Sequence, residues 1–188
     1  MTGPSGRTQG EDLHREVGDT GVTLEDLVQE ALAAREMAYA PHSGFKVGAA
    51  VLTPGGRVYR GANVESASYP LTNCAERVAV QKAVSEGERS VLAVAVAADA
   101  SYLRSKRAAQ GPAAAPGAAR GPGGAAGEVG SGEAELDLFV TPCGACRQVI
   151  FEFGPDAVVV LADLEGGRCV TSARRLLPGG FRLEATER

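Results

Sequence analysis

The chain has 188 residues, 44% of them hydrophobic, which is enough for one domain with a core and excludes a chain disordered throughout. A formal net charge of −4, 5% aromatics and no Trp argue against a nucleic-acid binder, which needs a basic face or stacking platforms. The first 22 residues hold no apolar run, no later run is long enough to span a bilayer, and four cysteines do not suggest a disulfide framework. The expectation is a cytoplasmic protein without signal peptide, membrane partner or nucleic-acid partner.

Residues 1–21 are polar and without period, and are expected to form a flexible tail. A single domain is expected over 22–184. Thr23 can cap a helix with Asp26 at the third helical position. Leu24, Leu27, Val28, Ala31, Leu32 and Ala38 mark its apolar stripe, and it should end before Pro41. Val47 to Leu52 reads as a buried strand, Thr53-Pro54-Gly55-Gly56 as a hairpin turn, and Arg57 to Asn63 as the return strand. The small Gly48, Ala49 and Ala50 imply close approach of a helix or of a ligand. Phe45, at the strand entrance, is either core or a ring against a planar base. Asn63-Val64-Glu65 leaves the strand with an amide and a carboxylate, a pair suited to vicinal hydroxyls, although Asn is also common at an ordinary strand exit.

Asn73 or Thr72 is expected to cap the next helix, which starts at Cys74-Ala75-Glu76-Arg77 and stops near Gly87. Val91 to Ala98 is almost uniformly apolar and reads as a central strand covered on both faces. Residues 102–133 interrupt the domain. Between 108 and 132, nine Ala, eight Gly and three Pro make a stretch too poor in large apolar groups to pack, and a flexible insert is expected. Leu136 to Val140 reads as a strand turned by Thr141 and Pro142, and Cys143 opens a helix running to Phe153. Ala157 to Ala162 is a further strand, Cys169 to Thr171 a short edge strand, and Ser172 caps a last helix through Leu177. Alternating strands and helices give an α/β sandwich, one sheet with helices on its faces.

Two short stretches carry chemistry. Cys74-Ala75-Glu76 and Pro142-Cys143-Gly144-Ala145-Cys146 together supply three thiolates and one carboxylate. A catalytic Zn²⁺ takes three protein ligands and leaves a fourth position for water. No fourth protein ligand is evident: Cys169 lies 23 residues beyond Cys146, and His14 and His42 precede the motif. Three thiolates leave the metal near −1, which opposes ionisation of a bound water. Helix N-termini stabilise thiolates, and Arg77 and Arg147 follow the ligands closely enough to donate to their sulfurs. Glu76 is close to the metal without being needed as a ligand, which suits a proton shuttle. A Cys-x-x-Cys alone would be weak, since it also fits a structural zinc half-site or a redox pair.

In combination these blocks resemble the small homotetrameric zinc-dependent cytidine deaminases of pyrimidine salvage. The resemblance runs from about Leu24 to Phe181. It rests on Tyr39-Ala40-Pro41-His42-Ser43, Phe45-Lys46-Val47-Gly48-Ala49-Ala50, Asn63-Val64-Glu65-Ser66-Ala67-Ser68-Tyr69-Pro70, Cys74-Ala75-Glu76-Arg77, Pro142-Cys143-Gly144-Ala145-Cys146-Arg147-Gln148 and Leu176-Leu177-Pro178-Gly179-Gly180-Phe181. It implies a three-layer α-β-α sandwich around a mixed five-stranded sheet. It also implies hydrolytic deamination of cytidine and 2′-deoxycytidine, and a homotetramer whose sites are shared between subunits. By position it makes Cys74, Cys143 and Cys146 zinc ligands and Glu76 the catalytic acid. It places Asn63 and Glu65 on the ribose 3′-hydroxyl, Phe45 against the base, the Ala75 backbone at the base edge, and Phe181 on a neighbour's pyrimidine. Arg77 is implied to compensate thiolate charge. His42 stands where Tyr is more usual, and Thr141 where Ser is more usual. A deaminase of another aminopyrimidine nucleoside, a polynucleotide-editing deaminase and a zinc-stabilised scaffold are the alternatives.

Overall fold

The structure is a computed structural model, and it describes residues 16–101 and 136–182. Helix α1 spans Leu24–Glu36, strand β1 Val47–Leu52 and strand β2 Val58–Ala62. Helix α2 spans Ala75–Ser85, strand β3 Ala93–Ala98 and helix α3 Gly144–Phe153. Strand β4 (Val158–Ala162), strand β5 (Arg168–Ser172) and the short helix α4 (Ala173–Leu176) follow among the described residues. The sheet order is β2-β1-β3-β4-β5. Only β3 and β4 pair in parallel; the other three pairs are antiparallel. This is the expected mixed five-stranded sheet.

Two apolar layers explain the sandwich. On one face Leu24, Leu27, Val28 and Ala31 of α1 pack over Ala50, Leu52, Ala93, Ala95, Ala97 and Val160. On the other, Ala75, Ala79, Val80 and Ala83 of α2 and Ile150 and Phe151 of α3 pack over Ala49, Val51, Val94, Val96, Val159 and Leu161. Strand side chains alternate between the faces, so consecutive small residues serve both helical layers. The central β3 is buried at every position, as its uniform apolar run requires.

Two glycines set the distance between helix and sheet. A Cβ on Gly48 would lie 2.1 Å from Ala31 O and 2.4 Å from Arg35 N. A Cβ on Gly61 would lie 2.4 Å from both Ala75 O and Ala79 N. The small-residue stretch of β1 is therefore answered by a helix.

Several boundaries repay comparison with the sequence. Thr23 caps α1 in a full capping box with Asp26, and Ser172 caps α4 by accepting from the Arg175 N–H. Thr72 and Asn73 do not cap α2; the N-cap is Cys74, which makes no side-chain cap hydrogen bond. Leu136 to Val140 is not a strand of the sheet. Its backbone turns, with Phe139 N–H donating to Leu136 O at 3.1 Å, and Leu136, Leu138 and Phe139 join the α2–α3 core layer. A short apolar run satisfies a turn tucked under a core as well as it satisfies a strand. Glu16 bridges Thr23, so a small closed turn precedes α1 within the stretch expected to be tail. The 102–133 insert lies outside the described residues. Among the described residues no helix is long and apolar enough to cross a membrane.

Candidate metal and catalytic site

Cys74 and Cys143 occupy equivalent places: each is the N-cap of a helix, extended in backbone, with no side-chain cap hydrogen bond. Cys146 lies in the first turn of α3, on the same side as Cys143 because residues three apart share a helix face. Helices α2 and α3 are in contact on one face of the sheet, which brings the two starts together. The three sulfurs all lie within 4.8 Å of one another. Cys74 Sγ is 3.9 Å from Cys143 Sγ, and Cys143 Sγ is 3.5 Å from Cys146 Sγ. A tetrahedral zinc with bonds of about 2.3 Å places its sulfurs about 3.8 Å apart, so this donor set fits the metal. Burial is graded across the triad: Cys146 is buried, Cys74 half-buried and Cys143 exposed.

The electrostatics favour a thiolate. Hydrogen bonding from the Cys146 thiol, aided by Cys143 and by the Arg77 guanidinium, pulls Cys74 down to about 5. The same contact with Cys74, followed by burial, pushes Cys146 up. Zinc binding requires deprotonated sulfurs, and these contacts favour the thiolate at Cys74. Arg77 donates from Nη2 to Thr72 O at 2.7 Å. Its Nε is buried without a hydrogen-bond partner, a donor left beside the thiolate cluster.

Glu76 is buried, with 4% of its surface exposed. Burial raises its carboxyl above the usual carboxylate range; its own backbone amide counteracts this in part, and Cys74 adds to the rise. A buried carboxyl two residues from a metal ligand can accept and return a proton.

Arg147 differs from expectation. Its guanidinium donates to Pro142 O at 2.7 Å, Leu176 O at 3.1 Å and Thr141 Oγ1 at 3.1 Å. It clamps the turn before Cys143 to the end of α4. With three acceptors engaged, it holds the ligand-bearing loop through the backbone instead of donating to sulfur.

Asn63 and Glu65 lie on a small ladder next to Cys74. Val64 pairs with Asn73 through both backbone hydrogen bonds, at 2.9 and 3.0 Å, and also bridges Tyr39. Asn63 and Glu65 therefore flank a residue tied to the neighbour of Cys74. The Asn63 amide donates to Phe45 O at 2.9 Å and accepts from Val47 N–H at 2.8 Å. Glu65 accepts from the N–H groups of His42 and Ser43 at 2.8 and 3.2 Å, and from the Ser43 hydroxyl. These bonds, that from Ser43 first, hold its carboxyl below the usual range. The Phe45 ring is partly exposed. Ala75 is the first residue of α2 and is fully buried. Phe181 is tethered by Gln148 Nε2 donating to its carbonyl at 3.0 Å, and the residue is 72% exposed. His42 faces the ring of Tyr69, with centroids 6.2 Å apart. Sequence reasoning gave Ser43 no role and read Thr72 only as a helix cap; their hydroxyl contacts, to Glu65 and to the Ser66 N–H, come from chain geometry that spacing does not reveal.

Known proteins resemble this chain over the same region. The family model described as the cytidine and deoxycytidylate deaminase zinc-binding region matches residues 22–162. A cytidine deaminase of Halalkalibacterium halodurans is 44% identical over 159 residues, covering 84% of this chain and 93% of that protein. One from Sporosarcina psychrophila is 41% identical over 162 residues, covering 86% and 93%. The crystal structure of cytidine deaminase from Burkholderia pseudomallei superposes with a TM-score of 0.63 at 40% identity, covering 85% of this chain and all of that one.

Proposed function

This chain belongs to the cytidine and deoxycytidylate deaminases, and we propose that it hydrolyses cytidine and 2′-deoxycytidine to uridine and 2′-deoxyuridine, releasing ammonia. The observation that carries this reading is the meeting of three sulfurs within 4.8 Å with the buried carboxyl of Glu76, two residues after one of them. A purely structural zinc site has no need of that carboxyl.

Cys74, Cys143 and Cys146 hold the zinc in this reading. Bound there, the metal lowers the pKa of a water and so supplies the nucleophile. Glu76 takes a proton from the attacking water and delivers it to N3 of the cytosine ring as C4 becomes tetrahedral. It then carries the remaining hydroxyl proton to the exocyclic nitrogen, the C4–N bond breaks, and ammonia leaves. One water is consumed, and uridine keeps the oxygen. Asn63 and Glu65 orient the sugar through its 3′-hydroxyl, and orientation alone is worth on the order of 100-fold. After its two backbone bonds, Asn63 retains one N–H and one lone pair for a ligand. The Phe45 ring lies against the base, and the Ala75 backbone meets the base edge. Arg77 offsets thiolate charge.

The assembly belongs to the same reading. Tyr39, Tyr69, Leu71 and Phe181 expose large apolar surface, which a homotetramer would cover, with Phe181 reaching a neighbour's pyrimidine. The setting is cytoplasmic pyrimidine salvage, acting on free nucleosides with neither nucleic acid nor membrane as partner; the net charge of −4 suits a small substrate better than a phosphate backbone.

The test is ultraviolet absorbance on addition of cytidine, with zinc assayed in the same preparation. A shift to the uridine spectrum at about one zinc per chain is expected. Full zinc loading without turnover of either nucleoside would overturn the reading.

A further inference from the structure

Ser43 is exposed, yet its hydroxyl has two partners that matter. It donates to Glu65 Oε1 and accepts from the Phe45 N–H at 3.0 Å. A continuous relay results: Phe45 N–H to Ser43 Oγ, Ser43 O–H to the carboxylate. On the other side of the same residue, the Asn63 amide donates to Phe45 O. The peptide groups of Phe45 are thus held from both flanks, by Asn63 directly and by Glu65 through the Ser43 hydroxyl.

Carboxylate stereochemistry sharpens this. An ionised Glu offers roughly four lone-pair sites, two on each oxygen. Oε2 is occupied by the N–H groups of His42 and Ser43. The Ser43 hydroxyl takes one site on Oε1. One site on Oε1 remains for an incoming donor, and the serine hydroxyl fixes where it lies. Chains of hydrogen bonds polarise one another, so the Phe45 N–H makes the Ser43 hydroxyl a stronger donor to that carboxylate.

We propose that Ser43 is a positioning residue for nucleoside recognition: its hydroxyl fixes the free lone pair of Glu65 toward a sugar hydroxyl and locks the Phe45 backbone to that carboxylate. The inference rests on the deaminase reading and adds to it a residue that touches no substrate. The sugar contact and the ring against the base become one coupled unit, so a substrate lacking the hydroxyl cannot draw on the relay.

The experiment compares wild type with S43A and S43T, all zinc-loaded and full length, on cytidine and 3′-deoxycytidine. S43A should lower kcat/KM for cytidine about tenfold, chiefly through KM, in keeping with loss of one hydrogen bond to a charged group. On 3′-deoxycytidine the loss should be much smaller, because that substrate has no hydroxyl for Glu65 to receive. S43T keeps the hydroxyl and should keep the preference for cytidine. If S43A does not fold, S43T and E65Q decide: S43T should retain the preference and E65Q lose it. Equal losses on both substrates, no loss on either, or loss of the preference in S43T would overturn the inference while leaving an active wild-type enzyme to support the deaminase reading. A wild type inert toward cytidine would overturn both.

Discussion

Helix α1 and helix α2 lie on opposite faces of one sheet, and their first turns are built differently. α1 closes its own start: the Thr23 hydroxyl accepts from Asp26 N–H at 3.1 Å, and the Asp26 carboxylate accepts from Thr23 N–H at 3.0 Å. α2 starts at Cys74, whose side chain makes no such bond, and α3 starts at Cys143 in the same way. A cap of Thr and Asp satisfies the first N–H groups and stabilises the helix. A cap of Cys directs the positive end of the helix at sulfur, where it favours thiolate. One face of the sheet uses its helix for stability. The other uses two helix starts to assemble chemistry.

Breaking the second arrangement should have the largest effect. Cys143→Ala leaves two sulfurs, and metal content should fall well below one zinc per chain with turnover abolished. Chelation of the wild type should do the same and lower Tm, since the metal's binding energy is also folding energy. Atomic absorption with a parallel thermal melt checks both; full zinc retention in Cys143→Ala would remove that residue from the ligand set. Glu76→Gln separates metal holding from proton transfer. Zinc should stay at wild-type stoichiometry while kcat falls on the order of 10³-fold, within the usual range for a general acid–base group. Near-wild-type kcat in the zinc-loaded variant would end the assignment of Glu76.

The paired glycines sharpen the comparison without touching any ligand. Gly48→Ala and Gly61→Ala meet helix backbone at 2.1 and 2.4 Å, against α1 and α2 respectively, and neither glycine has positive φ. Both should destabilise by roughly 1–3 kcal/mol through overpacking. Only Gly61→Ala displaces the turn that carries Cys74 and Glu76. It should lower kcat by up to about 100-fold, since small misplacements at a site are costly. Gly48→Ala should leave kcat nearly unchanged. Equal kcat losses in the two variants, measured well below their melting temperatures, would show that the faces are not independent.

How far the sequence led also divides along this line. Local chemistry was legible: the Thr23–Asp26 spacing gave the α1 cap, and Cys74, Cys143 and Cys146 meet in a cluster that could hold a metal. Those features depend on residue type at fixed offsets. Leu136 to Val140 misled, because its apolar side chains bury equally well from a turn. Asn73 and Thr72 misled as caps because Asn and Thr are good N-caps, yet Asn73 is committed to Val64 and the Thr72 hydroxyl to Ser66 N–H at 3.1 Å. Arg147 lay one residue from a ligand in sequence, but its three acceptors come from residues 141, 142 and 176. Tertiary partners decided each of these cases, and no spacing rule carries them.

The smallest effect should come from the self-closing start. Thr23→Ala removes a hydroxyl that accepts from Asp26 N–H and donates to the Asp26 carboxylate. The expected loss is about 1 kcal/mol, the usual worth of an N-cap side chain. In a chain of this size that corresponds to a fall in Tm of about 2–4 °C. Zinc content and kcat should not change, because α1 lies across the sheet from every sulfur and from Glu76. A thermal melt and a steady-state assay on one preparation decide it. Lost zinc in Thr23→Ala would mean that the first turn of α1 reaches the site through the sheet, and that stability and chemistry are not divided between the two faces.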